Sequence, residues 1–343
     1  MRKGKKTYIK AAFLVFLIIG TVFVIKQQRD MPYQHNEGFI FGTVYHATYQ
    51  YDKDLNEEIV AELNKVDATF SMFNKQSTVS AFNRGKRIEA DRMFMEVLTL
   101  SQTINKETGG AFDITVAPLV NAWGFGFKHQ QMPTPQQVDS LRKLVGMHYI
   151  NIDNVGKKTI VSTNHKNLML DFSAIAKGYG SDMVAKVMRR HDIKNYMIEI
   201  GGEIVTSGLS EKRLPWKIGV TKPSDDSLNT NQELQTVLNV TDKAMATSGN
   251  YRNFYYRKGK KFAHTIDPRT GYPVQHSLLS STVLANSCAE ADGYATAFMV
   301  LGVERAKAVL AQHPELMAYF IYADKDGKMN VWYSSSLKKK VEK

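Results

Sequence analysis

The chain has 343 residues, 43% hydrophobic and 23% charged, which excludes a disordered chain and allows one large or two ordinary domains. Its net charge of +12 sits mostly at the ends, +6 in residues 1–30 and +3 in 334–343, leaving +3 for 31–333; this suits an anionic membrane surface better than a nucleic-acid groove, and no zinc-finger or RNP pattern is present. The single cysteine, Cys288, excludes an intramolecular disulfide and any multi-cysteine metal site.

Residues 11–25 form an apolar run, preceded by Arg2, Lys3, Lys5, Lys6 and Lys10 and followed by Lys26 and Arg29. The pattern reads as an export signal. No small-x-small site follows cleanly and no cysteine offers lipid attachment, so the expectation is a transmembrane signal anchor over 1–30, with the rest of the chain outside. A cleaved signal is the alternative.

A polar linker over 31–38 leads into 39–49, which alternates like a strand around Gly42. Residues 55–70 read as an amphipathic helix with Ile59, Leu63 and Val66 on one face. Residues 71–83 are polar with interspersed aromatics and read as a loop, in which Phe73 either covers a planar ligand or packs on the fold. A second helix over 92–108 stops at Gly109-Gly110. Residues 109–126 then mix glycine, aromatics and Asp113 without a steady period, a composition suited to an aromatic-lined pocket or to a buried connection. Pro133-Thr-Pro135 introduces a helix to about 145, and 149–163 reads as a hairpin turning near Asn154-Val-Gly156.

The stretch 168–182 reads as a short apolar strand running into a helix that keeps Gly178 and Gly180 in its first turns. Glycines there are locally destabilising, so they mark either a ligand close to the backbone or tight packing against a neighbour. Ser173 is a candidate helix cap, Lys177 adds positive charge at an anion-favouring helix start, and Asp171 can bind a donor or a metal. A strand over 195–200 ends at Gly201-Gly-Glu203, where the glycine pair either gives the backbone room to meet a ligand or makes a bulge, the bulge being favoured.

Residues 204–286 read as strands over 216–222, 236–241, 244–247, 253–265 and 277–285. His264 closes one of them, just before the turn chemistry of Asp267-Pro-Arg-Thr-Gly271, where it serves either the structure or a cleft. Ser287-Cys-Ala-Glu290 is a capping box for a helix over 288–301 stopped by Gly302. Within it Asp292 and Thr296 stand four apart, placing two hard oxygen donors on one face. A further helix over 303–312 and a hairpin over 318–332 close the chain.

Taken together, Phe41-Gly-Thr, 71–83, Gly109-Gly-Ala-Phe-Asp-Ile-Thr-Val-Ala-Pro-Leu-Val with Trp123-Gly-Phe-Gly, 171–182, Gly201-Gly-Glu, Thr247-Ser-Gly-Asn-Tyr-Arg, 264–271 and Ala291-Asp-Gly-Tyr-Ala-Thr296 resemble, in order, the blocks of the ApbE family of flavin transferases, over about 39–333. The resemblance implies an α+β fold, one compact catalytic domain of mixed sheets and helices with a central FAD cleft, preceded by the N-terminal anchor and followed by a basic tail over 334–343. It implies Mg²⁺-dependent transfer of FMN from FAD to a Ser or Thr hydroxyl of an acceptor protein, with AMP leaving. The acceptors it implies are exported subunits of NADH:quinone reductase and Rnf-type membrane complexes, so the domain is expected on the outer, periplasmic face of the cytoplasmic membrane.

By motif position the resemblance implies FAD contacts at Phe41, Phe73, Ala111, Phe112, Asp113, Asp171, Lys177 and Ile266, and magnesium held by Asp292, Thr296 and the carbonyl of Ala174. His264, whose unperturbed pKa of about 6.5 suits a base at neutral pH, is the candidate acceptor of the hydroxyl proton. Phe41 replaces a methionine common in relatives, and Ala295 a carboxylate found in some. The competing readings are an FAD pyrophosphatase, with water in place of the acceptor, and a non-catalytic FAD-binding protein.

Overall fold

The structure is a computed structural model that describes residues 2–126, 132–223, 233–250, 254–257 and 260–342. Its frame is an eight-stranded sheet whose strands run in sequence order from edge to edge: Tyr33–Ile40, Thr43–Gln50, Tyr196–Ile200, Glu203–Ser207, Lys243–Gly249, Leu278–Ala285, Met317–Ala323 and Met329–Tyr333. Every neighbouring pair is antiparallel. The helices and the functional segments are insertions into this meander, the longest lying between Gln50 and Tyr196.

Period-two alternation sorts the central strands. Val205, Ala244, Ala246, Val283 and Ala285 face the helices Ala176–Arg190 and Cys288–Leu301, while Ile204, Met245 and Leu284 face the hairpin formed by Trp216–Thr221 and Leu234–Val240. Cys288–Leu301 is apolar on nearly all sides and buried, as such a pattern demands. Ser287 caps it by accepting from the Glu290 N–H at 3.3 Å.

Several expectations hold closely: the helices Asn56–Phe70, Arg92–Glu107, Pro135–Arg142 and Val303–Leu310 and the hairpin Asn151–Val155/Lys158–Ser162 are where patterning put them. Others are corrected. The strand expected over 39–49 is a hairpin that turns at Phe41-Gly42, both at positive φ, so the residues expected as linker enter the sheet from Tyr33. The loop expected over 71–83 ends in a helix, Thr78–Asn83, because Ser77 accepts the Ser80 N–H. Among the described residues, 168–172 pair with no strand; Asn83 binds Leu170 on both its N–H and carbonyl (2.7 and 2.9 Å), and the Asp171 N–H donates to Ile114. Gly201-Gly202 is a two-residue hairpin turn rather than a bulge. The strand expected over 253–265 is a short hairpin, Phe254–Arg257 with Lys260–Ala263.

The basic tail is part of the fold. Leu337 is fully buried against the back hairpin, and Val341 bridges to Leu238. Residues 2–30 form the helix Arg2–Asp30, with Phe13, Leu14 and Phe16 exposed. Among the described residues no helix is long and apolar enough to cross a membrane, so the expected anchor finds no support there.

Candidate functional site

A cavity of about 420 Å³ opens where the start of Ala176–Arg190 and one face of Cys288–Leu301 meet the 111–126 segment and the residues after Lys260–Ala263. Asp292 is a buried carboxylate in a largely apolar helix, a costly placement unless it is paired. Its Oδ2 accepts the Gly178 N–H at 3.2 Å. Burial pushes its carboxyl up, opposed by the charge of Lys177 and by the Gly178 bond. One turn on, the Thr296 hydroxyl also faces the cavity and lies 3.1 Å from the Ser248 hydroxyl.

Gly178 and Gly180 serve packing. A Cβ on Gly178 would run into the backbone carbonyl of Cys288, so glycine lets the two helix starts approach closely enough for Asp292 to reach Gly178. At Gly180 a Cβ would stand 2.8 Å from the Phe41 ring. Ser173 does not cap the helix: its N–H donates to Asp171 Oδ1 at 2.8 Å, and the helix begins at Ala176 behind Ile175 with no side-chain cap. Of its first N–H groups, that of Ala176 donates to the Phe172 carbonyl at 2.8 Å and that of Gly178 to Asp292, and Ala174 and Lys177 at this end line the cavity.

Lys177 Nζ pairs with Glu203 Oε1 at 2.5 Å. Burial pulls the ammonium pKa down, but Glu203 and Asp292 outweigh it and hold the group charged. Asp171, also buried, is pushed up by desolvation against the bonds from Ser173. Asp113 is fixed by the Thr115 N–H (2.8 Å) and hydroxyl (2.6 Å) and by Asn105 (3.3 Å); burial still raises its pKa. Beside it Ala111 and Phe112 are buried, at a bend that Gly109 and Gly110 allow by positive φ. Phe73 stands at the rim, 76% exposed. His264 and Ile266 enter from the opposite side, with Phe125 edge-on to the His264 ring at 6.4 Å.

The cavity thus collects every residue nominated from sequence except Phe41, which instead covers Gly180 from the hairpin turn. It also contains Glu203, Gly201 and Ser248, none of which the sequence nominated as a site residue. The Gly-Gly-Glu block pointed at the first two, and only the ion pair with Lys177 reveals what Glu203 does. Tyr251 and Arg252, from the 247–252 block, lie outside the described residues.

Among the described residues no group of three or more His, Cys, Asp or Glu could hold a metal. One carboxylate, one hydroxyl and one carbonyl, from Asp292, Thr296 and Ala174, still line the same cavity, and this all-oxygen set fits a hard divalent cation that completes its shell with phosphate oxygens and water. The Gly178 N–H that a regular helix would give to the Ala174 carbonyl goes to Asp292, and among the described residues no backbone bond to that carbonyl is present.

Residues 41–320 match the model of the ApbE family. The FAD:protein FMN transferase of Haemophilus influenzae is 38% identical over 318 residues, 89% of this chain and 90% of that protein; that of Vibrio cholerae is 37% identical over 315 residues, 89% and 91%. The solved structure of the flavin transferase ApbE from Vibrio cholerae superposes with a TM-score of 0.79 at 35% identity, covering 90% of this chain and all of that one. The apo Pseudomonas stutzeri flavinyl transferase ApbE gives 0.79 at 28% identity, covering 90% and 96%.

Proposed function

Because the chain belongs to the ApbE family, we propose that it is an FAD:protein FMN transferase that moves FMN from FAD to a Ser or Thr hydroxyl of an acceptor protein and releases AMP. The observation that carries this reading is the convergence, in one cavity, of side chains from sequence blocks far apart in the chain.

In the proposed reaction the acceptor hydroxyl oxygen bonds to the flavin-side phosphorus. The bond from that phosphorus to the bridging oxygen breaks, AMP carries that oxygen away, and the hydroxyl proton passes to His264. Lys177, kept charged by Glu203 and Asp292, sets positive charge at a helix start that itself favours an anion. Asp113, Phe112 and Ile266 give a walled, largely dry site for the flavin end, with Phe73 at its rim. Asp292, Thr296 and the Ala174 carbonyl would hold Mg²⁺, which when bound neutralises pyrophosphate charge.

The acceptor class we propose is the exported subunits of NADH:quinone reductase and Rnf-type membrane complexes. The basic and apolar segment 1–30 supports an address on the outer face of the cytoplasmic membrane. The test is mass spectrometry of such an acceptor domain incubated with the full chain, FAD and Mg²⁺, beside a chelated control. A metal-dependent gain of one FMN on Ser or Thr is expected. AMP release without that gain would replace the transferase reading with a pyrophosphatase, and membrane fractionation tests the address.

A further inference from the structure

His264 follows the short hairpin of Phe254–Arg257 and Lys260–Ala263 rather than standing within the large sheet, so its aim depends on what anchors the segment 262–272. That segment has internal ties. Asp267 accepts from the Arg269 backbone N–H (2.9 Å) and from Nε and one terminal nitrogen of its guanidinium (2.8 Å each); outside the segment, the Thr265 hydroxyl donates to Asn250 at 2.7 Å. Its limbs are tied backbone to backbone, Asp267 N–H to the Tyr272 carbonyl (3.0 Å) and Val274 N–H to the Thr265 carbonyl (3.0 Å), and one side chain from elsewhere in the chain touches both ends.

The Trp123 indole, 4% exposed, stacks on Phe262 at 5.9 Å and 23°, two residues before His264. It also meets the Tyr272 ring at 5.7 Å, and its Nε1–H donates to the Gly271 carbonyl at 2.8 Å. These contacts belong to a small apolar cluster with Leu119, Val138 and Ile266, separate from the larger cores. Two residues on, Phe125 meets the His264 ring. Trp123 stands outside the cavity and Phe125 lines it, and together they grip the start, the far turn and the imidazole itself.

We infer that Trp123 is a positioning residue for His264: by clamping both ends of the 262–272 segment, with Phe125 bracing the ring edge-on, it fixes the direction in which the imidazole meets the acceptor hydroxyl. The inference rests on His264 being the proton acceptor. A misplacement of about 1 Å is enough to cost on the order of 10²-fold in rate, whereas the phosphate-end contacts around Lys177 and Asp292 lie on other elements.

The test is a mutant cycle on the full chain with FAD, Mg²⁺ and an acceptor domain, following FMN attachment and AMP release. Trp123→Phe keeps a ring and removes the N–H; it is expected to lower kcat by about 10- to 100-fold with KM for FAD within about twofold. In a His264→Ala background the same substitution is expected to cost nothing further, because its effect passes through the imidazole. Phe125→Leu gives the same pattern with a loss of about 3- to 10-fold, and serves if Trp123→Phe does not fold as judged by near-ultraviolet dichroism. Unchanged kcat in the folded variants, or an undiminished loss in the His264→Ala background, overturns the positioning role while leaving the base in place. A His264→Ala enzyme at full rate overturns both.

Discussion

Both faces of the sheet bury apolar clusters, and they differ in the charged groups that one of them buries as well. On the back, the hairpin of Trp216–Thr221 and Leu234–Val240 closes over Ile204, Met245, Leu284 and Leu337, an apolar cluster. On the front, the same strands support a cavity lined by Asp113, Asp171, Asp292 and Glu203, the last three buried and the last two beside Lys177. The back face is stabilised by burial, at about 1.5–3 kcal/mol for a fully buried Leu or Ile side chain. The front face carries desolvation penalties that pairing only partly offsets, as the raised pKa values of its three aspartates record. Both faces thus contribute apolar burial, the helix-covered front more of it, and the front also carries the polar groups of the cavity.

That division is open to separate attack. The largest effect is expected from Asp292→Asn, which removes the only ionised side chain proposed to hold the metal: turnover should fall by about 10³-fold or more, while the melting temperature stays level or rises because a buried charge has gone. A parallel loss of both would show that the front face is needed for stability as well. Leu337→Ala should do the converse, lowering unfolding free energy by about 2–5 kcal/mol in urea titrations with kcat per folded molecule unchanged. A change in kcat would mean that the back face communicates with the cavity.

Gly178→Ala sharpens the comparison because it acts on the joint between packing and chemistry. The added Cβ meets backbone rather than a flexible side chain. It should destabilise by about 1–3 kcal/mol and also reduce the rate, since it pushes Asp292 away from the Gly178 N–H. The smallest effect concerns Asp182, which sits behind the cavity and accepts the Cys288 and Ala289 N–H groups at 2.8 and 2.9 Å, with burial pushing its carboxyl up to about 6. A folded pKa above the unfolded value of about 3.9 means that its contribution is fully present below pH ~4 and is lost as pH rises through about 6. Asp182→Asn should therefore flatten the fall in unfolding free energy between pH 4 and 6 relative to the unaltered chain, measured by denaturant titration across that range. An identical slope in both proteins would remove Asp182 as its source.

Much of this molecule is decided within a few residues of chain. The caps at Asp91, Thr134 and Ser287 and the apolar periods behind them define the helices that follow, because a helix is nucleated by contacts three and four residues apart. The same locality made the four-residue spacing of Asp292 and Thr296, the Asp171 to Lys177 block and the position of His264 readable, together with the likeness to the ApbE family. Other features are settled by contacts far apart in sequence. Asn83 fixes Leu170 across 87 residues, Gly178 reaches Asp292 across 114, and Trp123 reaches Gly271 across 148. No local pattern distinguishes a glycine that admits a ligand from one that admits a neighbouring helix, or a polar linker from an edge strand, since each depends on which backbone arrives opposite. For the same reason only the folded chain decided that Glu203 holds Lys177, that Phe41 covers Gly180 instead of the cavity, and that a lysine-rich tail buries Leu337 beneath the sheet.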